Sequence, residues 1–116
     1  MKITELLELS LSALNEVKGR DISCLKVSEL TDFADIMLIV TGNTIRQVRA
    51  LADSLIVSAK KNGVEILGVE GYREGDWTLV DLGDLVVHIM LPETRKFYDL
   101  EKLWAADLRA DTEQDG

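Results

Sequence analysis

Residues 36–69 read IMLIVTGNTIRQVRALADSLIVSAKKNGVEILGV, and the change of period along them decides the fold. Ile36 to Val40 is an unbroken apolar run that follows Asp35 and stops at Thr41-Gly42. A run that short and that apolar fits a strand covered on both faces. From Ile45 the spacing becomes helical: Ile45, Val48, Ala52, Leu55, Ile56 and Ala59 make one stripe, while Arg46, Arg49 and Asp53 point elsewhere. Asn43 or Thr44 supplies the cap, Lys60 and Lys61 in the last turn suit the helix dipole, and Gly63 is the stop. Val64 to Val69 then reads as a strand. Strand, helix and strand at this length predict a right-handed crossover between parallel strands, and with it an α/β domain.

Downstream, Glu70-Gly71 leads through a polar loop, Tyr72 to Asp76, into two further strand patterns, Trp77 to Leu82 and Leu85 to Leu91. Gly83-Asp84 joins them, with glycine where a primed turn needs it, so the pair predicts a hairpin. Pro92 closes the sheet, and Thr94 to Tyr98 and Leu100 to Trp104 read as short helices. Upstream, Ile3, Leu6, Leu7, Leu11, Ala13, Leu14 and Val17 form one broad helical stripe with Leu9 off it, and Gly19 is expected to supply the left-handed residue that ends the helix. Ile22 to Val27 alternates weakly, as a strand near a sheet edge does. Five strand patterns, one parallel connection and one hairpin together make a mixed sheet flanked by helices.

The chain of 116 residues has room for one compact domain. That domain is expected over residues 1–104, and residues 105–116, polar and acidic, as a disordered tail. The net charge of −8 disfavours direct capture of a nucleic acid backbone, which needs clustered Lys and Arg. It suits a basic partner, although acidity also serves solubility alone. One cysteine, Cys24, excludes an intrachain disulfide and a multi-cysteine zinc site, and its apolar surroundings read as core. There is neither a signal-peptide pattern nor an apolar run near the ~18 residues of a membrane span, so no membrane association is expected and cytoplasm is the default.

Candidate chemistry is sparse. Gly42-Asn43-Thr44, between strand and helix, lies where backbone amides hold anions, yet it lacks the further glycines and the lysine of a phosphate loop, so a capped turn explains it as well. Glu65 and Glu70 are five apart and face opposite sides of a strand, which removes the carboxylate pair that two-metal transfer requires. Asp81 and Asp84 flank a turn, where acids are common. His88 is the only histidine and reads as a hydrogen-bonded structural residue. Trp77, Leu79 and Asp81 share one strand face, and Tyr72, Tyr98 and Trp104 fall near that sheet. This is the composition of a binding surface as much as of a core.

The order Glu70-Gly71, Trp77, Asp81-Leu82-Gly83-Asp84, Val86-Val87-His88, Arg95, Tyr98 and Leu100-Glu101-Lys102-Leu103-Trp104 resembles the ribosome-silencing (iojap-like) family. Upstream, Lys18-Gly19 to Asp21-Ile22, Asp35-Ile36-Met37, Thr41-Gly42 and Gln47 extend the resemblance over nearly the whole chain except the tail. The resemblance implies a nucleotidyltransferase-like fold without the catalytic residues, hence no enzyme activity, no metal and no cofactor. It implies binding to a basic protein of the large ribosomal subunit on its subunit-joining face. That binding would block the small subunit and lower translation when nutrients are scarce. Carried over, the partner face comprises Trp77, Leu79 and Asp81, with Arg95, Tyr98 and Leu100 beside it. The alternatives are a nucleotide-handling enzyme with a site at the Gly42 turn, and a general interaction module, a homodimer when free.

Overall fold

The computed structural model describes residues 1–29, 31–32 and 34–102. The elements are α1 (Ile3–Glu16), β1 (Arg20–Lys26), β2 (Ile36–Thr41), α2 (Ile45–Lys61), β3 (Gly68–Glu70), β4 (Trp77–Asp81), β5 (Leu85–Met90) and α3 (Pro92–Tyr98). The strands form one mixed sheet in the order β1-β2-β5-β4-β3, in which β2 and β5 are parallel and the other neighbours antiparallel.

The strand–helix–strand reading holds for direction, but β2 and β3 are not neighbours. The hairpin β4–β5 lies between them, with β5 paired to β2. Burial explains the choice: β5 is almost wholly buried, as a central strand must be, whereas Val69 and Glu70 of β3 are exposed. The third strand is also shorter than the run Val64 to Val69, because the Val64 amide still bonds the carbonyl of Ala59 at the end of α2.

Register divides the sheet into two faces. Ile36, Leu38 and Val40 of β2, Val80 of β4, and Leu85, Val87 and Ile89 of β5 lie on one face and are buried against α1 and α2. From the helices come Leu6, Ala13 and Leu14, and Val48, Leu51, Ala52, Leu55 and Ala59. Ile45, expected on the α2 stripe, is instead 42% exposed at the first turn, and Leu51 takes a core position. Thr44 caps α2, its Oγ1 accepting from the Gln47 amide at 3.0 Å. Gln47 Oε1 accepts from the Asn43 amide, and its Nε2 donates to the carbonyls of Val17 and Lys18. One side chain thus ties the start of α2 to the end of α1.

Two further expectations are corrected. The left-handed residue after α1 is Lys18 (φ 58), and Gly19 serves close packing: a Cβ there would meet Val40 Cγ2 at 2.7 Å. Cys24 is exposed, since β1 is an edge strand with neighbours on one side only. The hairpin forms as read, with Gly83 at φ 92 and the Leu82 amide bonding the Leu85 carbonyl at 2.9 Å. Residues 105–116 and Leu103-Trp104 lie outside the described residues, and so do the corresponding parts of the tail and last-helix expectations.

Candidate partner-binding face

The second face of the sheet is built by the alternation that fills the core on the first. Trp77, Leu79 and Asp81 of β4 stand opposite Met90, His88 and Val86 of β5, and these continue onto Thr41, Ile39 and Met37 of β2. Ile39 and Met90 are fully buried on this side, so the face is partly covered. Among the described residues its cover includes α3 and Glu101, through Tyr98 on Trp77 and through Arg95.

Trp77 is half-buried and held from below. Its Nε1–H donates to His88 Nδ1 at 2.9 Å, with ring centroids 5.8 Å apart. His88 is 8% exposed, and burial lowers its pKa to about 4, so the ring is neutral at neutral pH. Nδ1 accepts the indole proton, which leaves the imidazole proton on Nε2. The sequence reading of a hydrogen-bonded structural histidine therefore holds, and the histidine supports the tryptophan.

The approach to Trp77 is equally fixed. Gly71 has φ 77, and a Cβ there would come within 2.0 Å of the Trp77 carbonyl oxygen, so only glycine lets the chain pass. The loop that follows is pinned to α2: Arg49 Nε donates to the Tyr72 carbonyl at 3.1 Å, its Nη2 bonds the Arg73 carbonyl, and the Tyr72 hydroxyl donates to Asp53 at 3.1 Å. The Asp53 bond raises the Tyr72 pKa.

Above Trp77 the aromatics continue. Tyr98, at the end of α3, lies 4.6 Å from Trp77 between centroids and is 52% exposed. Phe97 meets Tyr98 edge-on at 5.0 Å and is 82% exposed. Phe97 is the residue that sequence reasoning missed. It carries no periodic signal, and only the position of α3 reveals that it extends the row. Leu79, Trp77, Glu70 and Gly71 line a shallow hollow of about 280 Å³ beside it.

The remaining candidates behave differently. Asp81 is half-buried, and its Oδ1 accepts from the Gly83 amide at 2.9 Å, closing the hairpin turn. Arg95 is turned inward, its side chain only 13% exposed: Nε bonds Glu101 at 2.7 Å, Nη1 bonds Thr41 Oγ1 at 2.7 Å, and Nη2 bonds Ser23 Oγ at 3.1 Å. Ser23 also donates to Glu101, and the Arg95 bond holds the Glu101 carboxyl below its usual range despite partial burial. Leu100 is half-buried. A roomier polar hollow, about 460 Å³, opens behind α3, where Arg20, Arg95 and Lys96 are balanced by Asp21, Asp99 and Glu101.

At the Gly42 turn the amides of Gly42 and Asn43 already donate to the Met90 carbonyl and to Gln47 Oε1. Among the described residues no group of three or more His, Cys, Asp or Glu could hold a metal ion. None of the described helices is long and apolar enough to cross a membrane. Fold and site together define a single α/β domain whose distinctive surface is an aromatic row on a sheet face.

Comparison with known proteins then fixes the family. Residues 1–115 match the model described as "Ribosomal silencing factor during starvation" (RsfS), and the chain belongs to that family. The ribosomal silencing factor RsfS of Chromobacterium violaceum is 49% identical over 104 residues, 90% of this chain and 85% of that protein. A crystal structure of a protein from the same organism superposes with a TM-score of 0.89 at 48% identity, covering 90% of this chain and 88% of that one. A more distant relative is the mouse "Mitochondrial assembly of ribosomal large subunit protein 1", 34% identical over 84% of this chain and 44% of its own length. The protein is thus a member of the ribosomal silencing factors, a family named for silencing and not for catalysis.

Proposed function

We propose that this protein represses translation by occlusion in the cytoplasm. The face around Trp77 docks on a basic protein of the large ribosomal subunit, and the bound domain then stands in the way of the small subunit. The observation that carries the reading is the row Trp77–Tyr98–Phe97, in which a half-buried, hydrogen-bonded tryptophan supports two progressively exposed rings. Rigid aromatic area that is already ordered in the free protein binds at low entropic cost.

Leu79 and the hollow beside it extend the apolar centre, and the oxygen of Asp81 not used by the hairpin meets a basic side chain at the rim. The net charge of −8 favours encounter with a basic partner. The large subunit as target is supported by the name of the mouse relative. The nucleotide-handling reading gains no support at the Gly42 turn, where the amides of Gly42 and Asn43 are spent internally.

Co-sedimentation with purified large and small subunits tests the proposal. The wild-type chain should pellet with large subunits only. Tyr98→Ala, which removes an exposed ring, should lose about 2 kcal/mol, roughly thirtyfold in affinity, while unfolding at the same midpoint. Normal binding of both Tyr98→Ala and Trp77→Ala would sink the assignment of this face.

A further inference from the structure

We infer that Arg95 is a positioning residue: it latches α3 to the sheet so that Tyr98 is held over Trp77. The inference rests on the binding face proposed above, and it gives Arg95 a role beneath that face instead of in contact with the partner.

Three observations carry it. First, among the described residues α3 has little else to seat it. It is seven residues long, has no side-chain bond at its N-cap and buries no residue. A helix that short is marginal without tertiary packing. Second, the guanidinium gathers groups from separate parts of the chain: Ser23 on β1, Thr41 on β2 and Glu101 beyond α3. Thr41 is itself buried, and the Arg95–Glu101 pair is 13% and 32% exposed, so these bonds form against the sheet and not out in solvent. The planar fork of arginine can donate to all three at once, which the single ammonium of lysine cannot reproduce with the same geometry. Third, Arg95 and Tyr98 are three residues apart on α3, one helical turn, so fixing the first fixes the second. The Asp99 amide, bonded to the Arg95 carbonyl at 2.9 Å, closes that turn directly after Tyr98. The aromatic row is therefore set by a polar cluster on its far side.

The test has two arms. In the first, Trp104 is replaced by phenylalanine so that Trp77 is the sole tryptophan, and its emission and acrylamide quenching are read without any partner. Arg95→Ala and Arg95→Lys should both red-shift the emission and raise quenching towards the values of Tyr98→Ala. Thr41→Val, which removes one of the bonds and keeps the ion pair, should give a smaller shift in the same direction and serves if Arg95→Ala does not fold. Emission unchanged from the parent in Arg95→Ala, or in Thr41→Val where that variant stands in, overturns the latch.

The second arm is a double-mutant cycle on large-subunit binding. Arg95→Ala alone should weaken binding about tenfold, but should add little in a Tyr98→Ala background, because the two changes remove the same seat. Additive losses would mean that Arg95 meets the partner directly, and would overturn the inference. If the parent does not bind large subunits at all, the proposed function fails while the fluorescence arm still decides the latch.

Discussion

Trp77 and His88 show how one residue pair can serve both fold and site. The two are diagonal across β4 and β5, His88 standing opposite Leu79, and the indole N–H satisfies the nitrogen that burial would otherwise leave without a donor. Trp77→Phe keeps an aromatic ring but loses both that donor and part of the packed volume, and should cost about 1–3 kcal/mol in chemical denaturation. The histidine has its own signature. Its folded pKa lies below that of the unfolded chain, so the unfolded state takes up the proton first as pH falls. Stability is complete above the ordinary histidine range and declines through it, by about 2 kcal/mol between pH 7 and pH 5. Urea titrations over that window should show the decline, and His88→Gln should flatten it. The histidine was legible in sequence as a structural one because it is alone and sits mid-strand. Its partner was not, because alternation gives the face of a side chain but not which neighbour its ring nitrogen meets. The same limit hid the inward turn of Arg95: two of its three acceptors, Ser23 and Thr41, come from distant parts of the chain that only the fold assembles.

At the scale of elements, the parts with strong periodicity or turn chemistry could be read directly: α1, α2, β2 and the β4–β5 hairpin. What could not be read was order in space. Local pattern announced a parallel connection, but whether β3 or β5 lies beside β2 depends on which strand is apolar on both faces, a competition settled only when all five strands are present. The corrected role of Gly19 follows from the same cause, since it is dictated by Val40, a residue of another element. Gly71 ties an element boundary to the site. Gly71→Ala must either leave the left-handed region or push against the Trp77 carbonyl, so it should lower the unfolding midpoint and red-shift tryptophan emission together. For α3, Glu101 sets the pH response. Its carboxyl is held below the usual range, so the bond to Arg95 is fully present above that range and is lost as pH falls through the lowered value. Acidification should therefore loosen α3, and Glu101→Gln should abolish that dependence in a hydrogen-exchange profile of residues 92–102.

For the whole molecule, the sheet is asymmetric in use. One face is buried under two amphipathic helices and carries the main hydrophobic core. The other is covered in part by a short helix held by polar bonds, and it presents Trp77, Tyr98 and Phe97. In the proposed account such a domain represses translation by binding through this face and obstructing with its body. That account is tested most directly by the rate at which purified small and large subunits join, followed by light scattering with the protein at saturating concentration. The wild-type chain should slow joining, and Tyr98→Ala at the same concentration should restore the rate towards that of subunits alone. Joining that proceeds unhindered with the wild-type chain, or that Tyr98→Ala slows as effectively, would contradict occlusion through this face.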